Sequence, residues 1–421
     1  MTSSRKSLPL TITVLNENGY GTGQKGGQTI SVARTVPGDQ VLIGPPHGAE
    51  RWTRADLLSV TKGGPDRVPS GCRAFERGCG GCQWLHLAYP AQLAWKEKQL
   101  ASLLHTRLGF RGKVHPLVAM TEPLGYRNKL SLKNQAGKLV FVPETDETPL
   151  APDTCQVQTP ALQAAWKRLR SWRVPLGIEQ LHLRSNAQGQ VGLHAFAKDR
   201  TPASDAALKE LLAICPGAVG MGVTRHGSYH LVTGEAALSQ TLGGLTWLIP
   251  HNGFFQTNEV QAGALLDVVR REARVTRSDR VLDLYCGAGF FGLALAATAH
   301  DVVGIEENSQ SVEAALASAR RSGIEQVRFL AGDLGAVLAT VDVFPSEVAI
   351  VDPPREGLLP HALEALKTRR PRRIVYVSCY PKSLVRDVKD LVAAGWKTTA
   401  CTPIDMFPHT SHVETVVTLE R

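Results

Sequence analysis

One of the eight cysteines in this 421-residue chain, Cys379, sits near the end of the run Val375-Tyr-Val-Ser-Cys-Tyr-Pro381. The β-branched and aromatic residues before it read as a strand, and Pro381 reads as the opening of a helix. A thiol at the carboxyl end of such a strand lies where α/β sheets bind their ligands, which makes it a candidate nucleophile. Burial as a small apolar side chain is the competing explanation for a lone cysteine. A nucleophile that adds to carbon and later departs needs a general base to remove a proton in between. Glu414, in His412-Val-Glu-Thr-Val416 at the head of the final strand, is the candidate base, with His409 and His412 as alternatives. Taken alone, a strand carboxylate more often faces solvent.

Four other cysteines suggest a different chemistry. Cys72, Cys79 and Cys82 are close together, and Cys155 lies far downstream. Four thiolates suit either zinc or a [4Fe–4S] cluster. One close pair and two singles depart from the two close pairs of most structural zinc sites, which favours the cluster. Gly80 and Gly81 would let the chain wrap it closely.

A third set of residues is acidic and falls at successive strand ends. Asp283-Leu-Tyr-Cys-Gly-Ala-Gly289 follows a strand and opens a helix. An acid before a Gly-x-Gly turn suits S-adenosylmethionine, which has no pyrophosphate but carries a cationic amino-acid end. Glu306 ends the next strand, where a carboxylate can bind ribose hydroxyls, and Asp333 follows the third, where it could face adenine. A single acid at such a position would more simply cap the next helix; three in succession point to a ligand. Asp352-Pro-Pro-Arg355 closes the fourth strand, and its prolines stiffen the turn. This motif is similar to the Asn/Asp-Pro-Pro loops of nucleic-acid methyltransferases, some of which act on exocyclic amines. A Cys and a base together fit carbon 5 of uracil. A thiolate added at carbon 6 makes carbon 5 nucleophilic, and a base must then remove its proton.

These residues need a scaffold. From about residue 249, strands and helices alternate, as in a doubly wound α/β domain with a mostly parallel sheet. Residues 119–248 mix strands (Lys129–Leu132, Val191–Phe196) with a helix near Pro160–Trp172 and read as α+β. Tyr89–Leu108 has helical periodicity with Leu93, Leu100 and Leu104 near one face. Residues 8–56 read as short strands with glycine-rich turns, hence a small barrel. A net charge of +9 favours a polyanionic partner. No apolar run approaches the ~18–20 residues of a membrane span. A cytoplasmic protein with mostly reduced cysteines is expected. Arg67, Arg73, Arg77 and Tyr126-Arg-Asn-Lys129 could meet phosphates, although solvated surface charge is the better explanation of each alone, and Phe255 could stack on a base, although core packing explains it at least as well.

Taken together, these motifs and Phe254-Phe-Gln-Thr-Asn258 resemble those of the RNA 5-methyluridine methyltransferase family, in particular its iron–sulfur members acting on 23S ribosomal RNA. The resemblance runs over nearly the whole chain. It implies a TRAM-like, OB-like barrel at residues 1–56 and a central α+β iron–sulfur domain at 57–85 and 119–248. A Rossmann-like methyltransferase domain would comprise 86–118 and 249–421. It implies Cys379 as nucleophile and Glu414 as base. Gln256, Tyr285, Glu306, Asp333 and Asp352 would stand at S-adenosylmethionine, with Gln256 and Asp352 also near the uracil. Cys72, Cys79, Cys82 and Cys155 would hold the [4Fe–4S] cluster. The substrate would be a uridine in 23S rRNA, alternatively the T-loop uridine of tRNA, and the enzyme a monomer without membrane attachment. Two positions depart from the family pattern: Tyr380 where Asn usually follows the nucleophile, and Phe290 where many members carry a polar residue.

Overall fold

The computed structural model describes residues 7–48, 53–141, 150–198 and 204–421. These form two compact units. One comprises the described residues up to Gln99 together with Phe407–His412, and the other comprises the rest.

The first unit begins with six short strands. Leu8–Thr11, Gln40–Ile43 and Leu57–Lys62 form one three-stranded sheet, and Val14–Leu15, Gly21–Lys25 and Gln28–Val32 form another. Leu10, Ile12, Ile30, Val32, Val41 and Ile43 share one buried cluster. Residues 57–85 belong to this unit. The helix Tyr89–Leu103 follows and continues as a π-helical turn, Leu104–Leu108, which ends at Gly109 in the left-handed region (φ 59°). Its buried row differs from the expected leucine face, because Gln92, Lys96, Leu100 and Leu104 recur at intervals of four. The two polar members are satisfied by hydrogen bonds. Gln92 Nε2 donates to the carbonyls of Trp84 (3.1 Å) and Leu87 (2.8 Å), and Lys96 Nζ donates to that of Phe407 (3.1 Å).

The second unit holds two larger sheets. A six-stranded sheet runs in the order Ser228–Gly234, Ala218–Arg225, Val191–Ala197, Ile178–Ser185, Lys129–Gln135, Lys138–Phe141. Helices Pro160–Leu169 and Asp205–Ile214 bury their apolar faces against it, each started by a hydroxyl cap from Thr159 or Ser204. The α+β character expected of residues 119–248 is present here.

The other sheet has eight strands: β1 (Lys113–Val114), β2 (Arg280–Leu284), β3 (Asp301–Glu306), β4 (Val327–Ala331), β5 (Glu347–Val351), β6 (Arg373–Ser378), β7 (Lys397–Ile404) and β8 (Glu414–Glu420). Their order is β4-β3-β2-β5-β6-β8-β7-β1. β2 to β6 pair in parallel, while β8 is antiparallel to both β6 and β7. β2, β5 and β6 are buried along their whole length, and their residues are mostly apolar, with Arg280, Asp283, Glu347 and Arg373 as charged exceptions. The helices are α1 (Glu259–Ala273), α2 (Phe290–Ala296), α3 (Ser309–Arg321), α4 (Leu334–Thr340), α5 (Pro360–Arg369) and α6 (Pro381–Ala393). α4, α5 and α6 share one core with Leu100 and Leu104. Among the described residues no helix is long and apolar enough to cross a membrane.

Candidate active site

The chain turns from β2 toward β3 on one side and resumes at β5 on the other, so the carboxyl ends of β2 and β5 flank the switch point where open α/β sheets bind ligands. Asp283 lies in β2, fully buried. Its Oδ2 accepts the Gly292 N–H at 2.7 Å, and its Oδ1 has no protein partner. Burial pushes this carboxyl up to about 7; the Gly292 bond opposes the shift and Glu306 adds to it. Tyr285, one step past β2, takes a left-handed φ of 64°, and its hydroxyl accepts the Leu359 N–H at 3.3 Å. Gly287 and Gly289 are also left-handed, so every second residue of the turn 285–289 before α2 takes this conformation.

Glu306 ends β3 and straps this turn in place. One oxygen accepts the Gly287 N–H (3.1 Å), the other that of Asn308 (3.0 Å). Asp333 is exposed and caps α4 through the Ala336 N–H (2.9 Å), with His361 Nε2 3.3 Å from its other oxygen. Its helix-capping explanation is therefore realised, whatever else it binds. Gln256 is buried in the segment before α1, its carbonyl accepting from Asn128 Nδ2 at 3.2 Å. Phe290 is buried in an aromatic cluster with Phe255 and Trp247, their ring centroids 5.2 and 5.6 Å away. The apolar residue at this departure from the family pattern is core.

Asp352 follows β5, its N–H donating to the Leu284 carbonyl at 3.3 Å. Burial pushes its carboxyl up to about 7, and Asp283 adds to the shift. Beyond β6 stand Cys379 and Tyr380, and Pro381 opens α6. The last β6–β8 pair is Ser378 with Thr415. Cys379 follows Ser378 just beyond β6 and Glu414 precedes Thr415 at the head of β8, so both stand at the same end of this ladder, and the Glu414 charge bears on the Cys379 thiol. Glu414 is buried. Burial raises its carboxyl well above the usual range, and Asp352 raises it further. The Cys379 thiol is pushed up to about 12 by burial and by the charges of Glu414 and Asp352, while Arg355 opposes them. Arg355 carries no sequence signal beyond its place after the two prolines, and its guanidinium lies 5.3 Å from the centroid of the Tyr380 ring. Tyr380 occupies the N-cap position of α6 without a side-chain cap bond.

Asp283 thus acts on Asp352 and Asp352 on Glu414, so the three carboxyls resist ionising together, and the Cys379 thiol lies near Asp352 and Glu414. A cation entering there would favour their charged forms. The unpartnered Asp283 oxygen and this acidic surplus fit the ammonium and sulfonium charges of S-adenosylmethionine.

The alternative bases lie in the first unit. His409 Nδ1 is 3.1 Å from Gln92 Nε2, and its backbone N–H donates to Gln92 Oε1 at 2.9 Å. The ring of His412 lies edge-on to Phe407. Cys72, Cys79 and Cys82 are half-buried residues of the first unit and Cys155 is a half-buried residue of the second. Among the described residues no three or more His, Cys, Asp or Glu form a group that could hold a metal ion.

The chain is similar to several known RNA methyltransferases. Residues 245–421 match the family model described as tRNA (Uracil-5-)-methyltransferase. An uncharacterized RNA methyltransferase of Gloeobacter violaceus is 35% identical over 99% of this chain and 97% of its own. One of Chlorobaculum tepidum is 31% identical over 92% and 90%. The crystal structure of the Pyrococcus abyssi tRNA (uracil-54, C5)-methyltransferase with S-adenosyl-L-homocysteine superposes with a TM-score of 0.76 at 26% identity, covering 98% of this chain and all of that one.

Proposed function

We propose, from the premise that this chain belongs to the uracil-5-methyltransferase family of RNA methyltransferases, that it methylates carbon 5 of a uridine in 23S rRNA through a covalent bond from Cys379. At the coarser level it is an S-adenosylmethionine-dependent RNA methyltransferase. The observation that carries this reading is a half-buried thiol just beyond β6 and a buried carboxyl at the head of the neighbouring antiparallel β8, near enough that the Glu414 charge acts on the thiol.

In this mechanism Cys379, having lost its proton to solvent, bonds through Sγ to carbon 6, and the carbon 5–carbon 6 π electrons move onto carbon 5 and the adjoining carbonyl. Bound S-adenosylmethionine supplies an electrophilic methyl group, which carbon 5 takes. Glu414 accepts the carbon-5 proton, the double bond re-forms, and Cys379 leaves as thiolate. Asp283 and Asp352 attract the cationic donor, Glu306 holds the turn beneath it, and Tyr285, Asp333 and Gln256 complete its surroundings. Gln256 and Asp352 also orient the uracil. Mapping 5-methyluridine in rRNA and tRNA from cells with and without this protein tests the assignment. Loss of one 23S mark is expected, and unchanged 5-methyluridine in both RNAs would refute it. The Pyrococcus abyssi relative favours a second reading, the T-loop uridine of tRNA, which the same map distinguishes.

Donor binding carries a pH signature. Below about pH 7 Asp283 and Asp352 are largely protonated, and a neutral carboxyl attracts a cation less. Affinity for S-adenosylmethionine is therefore expected to rise as pH increases through 7, by up to about tenfold per unit for each proton released. Calorimetry in buffers of different ionisation enthalpy measures both the affinity and the proton count; a flat profile from pH 6 to 8, with no proton release, contradicts it.

The same proposal includes the OB-like, TRAM-like character of residues 1–56, the division of the remainder into 57–85 with 119–248 and 86–118 with 249–421, and a cytoplasmic monomer. It also includes a [4Fe–4S] cluster on Cys72, Cys79, Cys82 and Cys155, which rests on the thiol set and the family resemblance. No step of the reaction runs through it. Iron content and visible absorption of anaerobically purified protein decide it, and a colourless zinc protein would exclude it.

A further inference from the structure

The six-stranded sheet carries a second polar cluster on the face turned away from its helices. Period-two alternation puts Leu130, Leu132, Leu181 and Leu183 in the core and sends Lys129, His182 and Arg184 to the other side. In the register of the two strands, Arg184 directly faces Lys129. Like charges in that position repel, so the pair works against the sheet unless an anion joins it. The neighbouring charges compound the problem: those acting on Lys129 are Arg184 and Arg127, both cations. Burial, then these two charges, push Lys129 down to about 8.

Arg184 is only 4% exposed. Its Nη1 donates to the Phe255 carbonyl at 3.2 Å, but its Nη2 is buried and has no partner. An unused guanidinium donor beside a half-buried ammonium is a costly arrangement for a protein to keep empty. The pair is also tied to the candidate active site. Asn128, next to Lys129, donates from its backbone to the Thr257 carbonyl (2.9 Å) and from its side chain to that of Gln256 (3.2 Å). Lys129 and Arg184 are therefore fixed to the same short segment that carries Gln256.

We infer that Lys129 and Arg184 form a binding site for a backbone phosphate of the RNA, adjacent to the target uridine. This rests on the reading of RNA as substrate. The phosphate would take the idle Nη2 donor of Arg184 and relieve the repulsion between the two cations. One anion so held would fix the strand relative to Gln256 and set how far the uridine can reach toward Cys379.

Arg184 also supports the Phe255 carbonyl, so Lys129 is the residue to change. The probe is a fluorescein-labelled stem–loop RNA containing the mapped uridine, titrated by anisotropy at a series of salt concentrations. K129Q is expected to bind about tenfold more weakly. The slope of log affinity against log salt should fall by about 0.7, the value for one single-strand phosphate. K129R should keep both. A neutral methylphosphonate linkage flanking the uridine should weaken the wild type more than it weakens K129Q, which keeps only Arg184 to hold that phosphate. Without RNA, K129Q should melt no lower than the wild type, since a repulsion has been removed; a markedly lower melting temperature would make Lys129 a structural residue and overturn the site. A salt slope unchanged in K129Q, or a wild type indifferent to every flanking methylphosphonate, would do the same. A wild type that binds this RNA with the expected slope but never methylates it would instead refute the proposed function while supporting the phosphate site.

Discussion

Replacing Cys379 with alanine is expected to abolish methyl transfer to RNA, lowering the rate by roughly 10⁴-fold or more, because the covalent route is lost. S-adenosylmethionine should still bind at close to its normal affinity, since the thiol lies beyond Asp283, Asp352 and the glycine turn. The side chain is half-buried at a strand end and small, so its truncation leaves little cavity. Radiolabelled methyl incorporation together with donor calorimetry measures the split. It also separates the two chemistries that an Asp-Pro-Pro turn permits. Methylation of an exocyclic amine uses the nitrogen lone pair directly and has no need of a thiolate. An alanine variant retaining a tenth of wild-type activity would therefore sink the carbon-5 mechanism.

Replacing Glu414 with glutamine should give a different failure. Addition of Cys379 and methyl transfer precede the step the base serves, so the first turnover can proceed until the carbon-5 proton must leave. The rate is expected to drop about 10²–10⁴-fold, the usual contribution of a positioned base. Methylated RNA should accumulate while still bonded to the protein through Cys379. Denaturing electrophoresis with labelled RNA detects such an adduct as a band at the combined mass, and the double variant with Cys379→Ala should lack it. If His409 or His412 were the base, E414Q would turn over freely and no band would build up. Glutamine matches glutamate in shape and cannot ionise, which suits a carboxyl that burial already holds toward its neutral form.

Much of this arrangement is legible in the sequence because it is local. The mostly apolar runs of β2, β5 and β6, the acid before Gly287 and the proline opening α6 each carry their signal within a few residues. Pairing between distant segments carries no such signal. Cys379 and Glu414 are brought together only because the final strand enters antiparallel between β6 and β7, and nothing in either run specifies that neighbour. Arg184 is likewise silent: alternation says which face it occupies, but not that Lys129 stands across from it. Periodicity finds the helix Tyr89–Leu103 and the burial of Leu100 and Leu104, but not the polar members of the buried row. A hydropathy pattern ranks Gln92 and Lys96 as solvent-facing, yet the carbonyls of Trp84 and Leu87 satisfy the first and that of the distant Phe407 the second. Asp333 shows the reverse, since its helix cap is a purely local bond that the sequence does allow one to anticipate.

The placement of Cys379 and Glu414 at one end of the same ladder also bears on how freely the surrounding sequence can drift. Their separation is a property of backbone hydrogen bonds between β6 and β8, which depend on register rather than on the side chains nearby. A substitution beside the pair leaves that spacing intact, whereas a one-residue insertion in either strand would turn the thiol and the carboxyl to opposite faces. Position 380 is then open to exchange: an asparagine could cap α6, while the tyrosine found here forgoes the cap and receives the Arg355 guanidinium over its ring. The departure from the family's usual asparagine at position 380 therefore forgoes one cap bond of α6 and leaves the register of the two strands untouched.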